Sequence, residues 1–90
     1  MRVVWDSQAF EDYRELKISA PALAGKTDRL IEDIKRDPFT GLGKPEPLRG
    51  ELSGWWSRRV AKGHRLVYRV VGRRGQDQRL EISQCRFHYS

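Results

Sequence analysis

Residues 56–87 read WSRRVAKGHRLVYRVVGRRGQDQRLEISQCRF, and their rhythm decides the fold. Leu66, Tyr68 and Val70 alternate with Arg65, Val67 and Arg69. A two-residue period of this kind marks a strand with one covered and one open face. The alternation predicts a strand over Arg65 to Val71, with Arg65 and Arg69 on the open side. Lys62 and Gly63 mark a turn before it; Gly72, Arg73, Arg74, Gly75 and Asp77 mark another after it. Strands are therefore expected over Trp56 to Ala61 and Leu80 to Phe87 as well. Consecutive hairpins give an antiparallel sheet.

Towards the N-terminus the period changes. Arg2 to Trp5 reads as a short opening strand rich in β-favouring residues. Asp6 or Ser7 offers an N-cap, and Ala9, Phe10, Tyr13 and Leu16 recur at helical spacing, so a helix is predicted over Gln8 to Ile18. Ser19 can cap a second helix, in which Leu23, Thr27, Leu30 and Ile34 form one stripe before Pro38 stops it. Thr40 to Gly50 carries Gly41, Gly43, Pro45, Pro47 and Gly50 and reads as loop. The expected architecture is α+β: an antiparallel β-sheet with two N-terminal helices packed on one face and the other face wet and basic.

Ninety residues suit a single domain with a small core. The net charge is +6. Residues 1–40 hold 7 basic against 8 acidic side chains, whereas residues 41–90 hold 11 against 4. The C-terminal half is thus where an anionic partner is expected, although a merely solvated basic face has the same composition. The lone Cys85 excludes an internal disulfide and reads as a reduced core thiol. No apolar run is long enough for a signal peptide or membrane span, so a cytoplasmic protein without membrane partners is expected.

Three residue types in the basic half can cut RNA without a metal. Glu46, stiffened by Pro45 and Pro47, is a candidate base for a 2′-hydroxyl, or else an ion-pair partner of a nearby arginine. Arg65 is a candidate phosphate ligand, or else an ordinary strand arginine. His88 is a candidate acid for the leaving oxygen, because histidine titrates near 6.5, or else a tail residue. Tyr89 can bond a phosphate or stack on a base; Trp55 and Trp56 can stack or serve packing. His64 suits a structural or RNA-contacting role. Metal-ligand spacing and a phosphate-cradling glycine loop are both missing from the sequence, so no metal or cofactor is expected.

GKPEPL at 43–48, LSGWWSRR at 52–59, HRLVY at 64–68 and CRFHY at 85–89 closely resemble the Txe/YoeB branch of bacterial toxin ribonucleases, within the RelE-like superfamily. The resemblance covers nearly the whole chain and implies a RelE-like, microbial-ribonuclease-like fold. It implies a type II toxin that cuts mRNA in the A site of the 70S ribosome and so inhibits translation. The implied partners are a YefM-type antitoxin, a second copy of the chain in a homodimer, and operator DNA only through the antitoxin complex. It assigns Glu46 as general base, Arg65 as phosphate ligand, His88 as general acid and Tyr89 beside it. Lys44, Arg49, Arg58, Arg59 and His64 are expected to hold RNA or ribosome. The alternative is a non-catalytic basic module that blocks translation by binding. Two departures stand out: Ser90 follows the His-Tyr pair, and the hairpin from Gly72 to Arg79 is longer and more basic than the family pattern.

Overall fold

The computed structural model describes residues 1–85. Strand β1 (Arg2–Trp5) leads into helix α1 (Ser7–Ser19) and helix α2 (Pro21–Arg36). A short β2 (Glu46–Pro47) follows, then a 3-10 turn at Gly50–Leu52, β3 (Trp56–Ala61), β4 (His64–Arg73) and β5 (Gln76–Gln84). The strand order is β1-β5-β4-β3-β2.

The helices start and stop for local reasons. Asp6 caps α1 by accepting from the backbone N–H groups of Gln8 and Ala9. Pro21 opens α2, where a missing N–H costs nothing. Ser19 does not cap α2; its hydroxyl donates back to the Glu15 carbonyl at 3.0 Å. The expected stripe on α2 is present: Thr27, Leu30 and Ile34 are buried, joined by Ala24 and Ile31. Leu30, Ile31 and Ile34 meet Val60, Leu66, Tyr68, Leu80 and Ile82 from the sheet. Burying each large aliphatic side chain contributes about 1.5–3 kcal/mol. Cys85 closes this core as a buried thiol outside any disulfide, and its Sγ donates to the Ala9 carbonyl at 3.1 Å.

The sheet differs from the expected one in three ways. It is mixed, because β1 runs parallel to β5, with Val3 opposite Leu80. Two helices and three strands separate those partners in sequence, so no hairpin constrains their direction. The segment read as loop contributes β2, an edge strand on which Glu46 faces Ser57 and Pro47 faces Trp56. Proline is accepted at such an edge because one side of the strand needs no donor. The last hairpin is tighter than expected: Arg73 pairs with Gln76, and β5 starts at Gln76 instead of Leu80. Gly72 permits this at φ +92, where a Cβ would lie 2.6 Å from the Asp77 carbonyl oxygen. Among the described residues no helix is long and apolar enough to cross a membrane.

Candidate active site

Three neighbouring strands bring the polar residues of the sheet's open face together. β2 carries Glu46, opposite Ser57 on β3; Ser57 lies opposite Val67 on β4, and Arg65 lies opposite Arg59. Ser57 and Arg65 are therefore diagonal neighbours, within reach of a long side chain. Arg65 Nη1 donates to Glu46 Oε1 and to Ser57 Oγ, both at 2.9 Å. Ser57 is buried, whereas the Arg65 and Glu46 side chains are 30% and 56% exposed. These two contacts occupy the hydrogens of Nη1 alone. Nε and Nη2 have no protein acceptor among the described residues, so one edge of the guanidinium fork is available to a bidentate anion.

The same face continues across β4 and β5. Arg69 donates to Glu81 at 2.7 Å, and Arg79 donates to the other oxygen of that carboxylate at 3.1 Å. The two guanidinium hydrogen bonds, that of Arg69 first, hold the Glu81 carboxyl below its ordinary range. The Arg69 guanidinium also lies 4.4 Å from the centroid of the Trp55 ring. Trp56 turns the other way and packs against the core and Phe39. The adjacent tryptophans thus pack on opposite faces of the sheet, Trp55 against Arg69 and Trp56 against the core.

Arg58 overturns the expectation of an RNA contact, because it is wholly buried. Nε donates to the Tyr68 hydroxyl, Nη1 to Asp33 and the Leu42 carbonyl, and Nη2 to the carbonyls of Asp37 and Thr40. All of its N–H donors are spent inside the protein. Tyr68 in turn donates to the Pro38 carbonyl at 2.7 Å. The Arg58 head therefore binds the loop after α2 to the sheet, and that loop leads into Glu46. The Asp33 carboxyl is pulled down to about 2 by the Leu42 N–H, then by Arg58 and Arg36. Burial raises the Tyr68 hydroxyl, a shift Arg58 partly opposes. Strand alternation carried the signal: Trp56, Arg58 and Val60 share a face, and it is the core face.

Arg49, Lys44 and Arg59 are exposed, as a contact surface requires. Lys44 has φ +52 in the turn before β2. His64 is half-buried at the start of β4, opposite Ala61. His88 and Tyr89 lie outside the described residues. Ser57, Glu81 and the stacking of Arg69 on Trp55 were not anticipated; only the strand register brings them to Arg65 and Arg69.

Residues 5–89 match the family model of the YoeB-like toxin of bacterial type II toxin-antitoxin system. Toxin YoeB of Streptomyces coelicolor is 48% identical over 89 residues, covering 99% of this chain and 100% of that protein. The solved YoeB/ParE toxin from Agrobacterium tumefaciens is 49% identical with a TM-score of 0.95, over 99% of this chain and 100% of its own. YoeB from Staphylococcus aureus, solved as a dimer and as a heterotetrameric YoeB-YefM toxin-antitoxin complex, is 36% identical with a TM-score of 0.87, over 99% and 98%. A likeness of this extent, across the strands that carry Glu46, Ser57 and Arg65, makes the chain a member of the YoeB-like toxins of bacterial type II toxin–antitoxin systems.

Proposed function

We propose that the toxin is a ribosome-dependent endoribonuclease that cuts mRNA in the A site by metal-free acid–base chemistry. The observation that carries this reading is the 2.9 Å contact between Glu46 and Arg65 on the open face. It joins a carboxylate to a guanidinium that retains free donors. A phosphodiester docking on the Nε/Nη2 edge of Arg65 places an anion beside Glu46 and loosens its ion pair. Glu46 then accepts the proton of the 2′-hydroxyl, and that oxygen attacks the adjacent phosphorus. Arg65 balances the charge that builds on the phosphoryl oxygens. His88 protonates the departing 5′-oxygen, and Tyr89 orients the phosphate. The bond broken is P–O5′, and the products are a 2′,3′-cyclic phosphate and a 5′-hydroxyl. Ser57 and the β2–β3 pairing hold Arg65 and Glu46 in register.

Lys44, Arg49, Arg59 and His64 supply contacts to RNA or ribosome, and affinity falls steeply with salt. A YefM-type antitoxin is the proposed cognate partner, supported by the Staphylococcus aureus YoeB-YefM complex, and a homodimer is supported by the YoeB dimer from the same organism. The toxin acts in the cytoplasm as one domain.

Primer extension on a translated message tests the reading. The wild type should generate discrete cuts whose upstream fragments end in a cyclic phosphate. Glu46→Ala and His88→Ala should abolish them, by at least about 10²-fold, while ribosome co-sedimentation persists. Upstream fragments with a plain 3′-hydroxyl would overturn the mechanism. Translation arrest by both variants without any cut would favour the binding module instead.

A further inference from the structure

The open face carries a second group of side chains beside Glu46 and Arg65 that the proposed cleavage step does not use. Trp55 immediately precedes β3, and the alternation of that strand puts it on the face of Ser57. Trp56 lies opposite Tyr68, so one further step of the same register sets Trp55 across from Arg69. Two backbone hydrogen bonds fix this corner. The Trp55 N–H donates to the Leu52 carbonyl at 3.0 Å, and the Trp55 carbonyl accepts from the Leu48 N–H at 2.9 Å. Leu48 directly follows β2, so the corner that carries the indole also carries Glu46.

The indole is backed from β4. The Arg69 guanidinium lies 4.4 Å from its centroid, and Glu81 holds that guanidinium at 2.7 Å while Arg79 holds the other oxygen of Glu81 at 3.1 Å. Among the described residues no other ring or cation stacks on Trp55, which is half-buried instead of enclosed. A ring braced from behind has little rotamer freedom left to lose when a second plate stacks on it. The surroundings select that plate. An aliphatic group would gain only contact area. A nucleobase gains stacking, while the phosphates of its strand meet Arg65 on one side and Arg69 on the other. Arg69 engages only Nε among the described residues, so its Nη groups keep their donors. Trp55 and Ser57 stand two residues apart, about 6.6 Å on an extended strand, within reach of a base whose phosphate sits on Arg65. We propose that Trp55, backed by Arg69, seats the nucleobase next to the scissile phosphate. The word scissile rests on the nuclease reading; the stacking itself does not.

Titration of the whole chain with a deoxyadenylate trinucleotide tests the seat. This probe has no 2′-hydroxyl and cannot be cut by the proposed chemistry, so binding is read apart from cleavage. Its control is the same backbone with the bases removed. The chain has three tryptophans, and the indole N–H signal of Trp55 is identified in a proton–nitrogen correlation spectrum by its loss in Trp55→Phe. That signal should move with the trinucleotide and stay in place with the abasic control. The trinucleotide should bind about tenfold more tightly than the control. Trp55→Leu should bring the two probes within about twofold of each other, whereas Trp55→Phe, which keeps a ring, should retain most of the difference. Arg69→Met, which keeps the stem without the charged plane, should weaken the trinucleotide by about threefold or more. Equal affinity for the two probes, an unmoved Trp55 signal, or wild-type binding by Trp55→Leu or Arg69→Met would overturn the proposal. Primer extension separates the two readings. Undiminished cutting at the same positions by Trp55→Leu would sink the seat and leave the nuclease intact. A wild-type chain that never cuts, yet shifts its Trp55 signal, would sink the nuclease and keep the stacking.

Discussion

Arg58 and Arg65 sit on adjacent strands, yet they have opposite fates. Arg58 is wholly buried, and every N–H it owns meets a protein acceptor. Arg65 is 30% exposed and engages Glu46 and Ser57 through one nitrogen. A saturated guanidinium can hold only what it already holds. An unsaturated one on an open face can accept a substrate anion. The proposed chemistry is therefore assigned by the donors left over, not by the presence of an arginine in a basic run. The two regions are also linked, because the loop that Arg58 fastens continues into β2 and Glu46.

The sharpest way to break this contrast is Arg58→Ala. It removes one of the donors to Asp33 and the Arg58 donors to three loop carbonyls, and should cost about 3–5 kcal/mol, read as a shift in the urea midpoint. Arg58→Lys should recover little, because an ammonium cannot reproduce five donors in a planar fork. Asp33→Asn should cost less than Arg58→Ala, since Arg58 keeps Tyr68 and the loop carbonyls.

Asp33 also sets an acid limb. Its carboxyl titrates at about 2 in the folded protein against an ordinary 3.8, so folding favours the carboxylate. The stability it contributes is present above pH 3.8 and is lost as pH falls through about 2. Unfolding measured between pH 5 and pH 2 should show that loss, with Asp37 and Glu81 depressed in the same direction, and Asp33→Asn should flatten it.

Tyr68→Phe removes the bond to Pro38 and the acceptor for Arg58 Nε, and should cost about 1–3 kcal/mol. The smallest effect on stability belongs to the open face. Glu46→Ala breaks a pair whose carboxylate is 56% exposed, and it should move the midpoint by less than about 1 kcal/mol. A large loss there would show that Glu46 serves the fold instead of the proposed chemistry, and the contrast between the two arginines would fail.

The stripe on α2 and the alternation in β4 were legible because each follows a local period. Four motifs in order were enough to place the chain among its relatives. The pairing of β1 with β5 and the strand at Glu46 were not legible, because they depend on contacts between residues far apart in the chain. Arg58 shows the boundary most clearly. Its place in the alternation with Trp56 and Val60 points to the core, whereas the family resemblance placed it among the RNA contacts.

By itself, the sequence determined the periods, the N-cap of α1, the basic half and the residue types at Glu46, Ser57 and Arg65. Only the tertiary structure decided which arginine is enclosed by carbonyls and which remains open to solvent. Burying a cation is tolerable only where enough acceptors converge on it, and those acceptors come from a helix, a loop and a strand that meet only after folding.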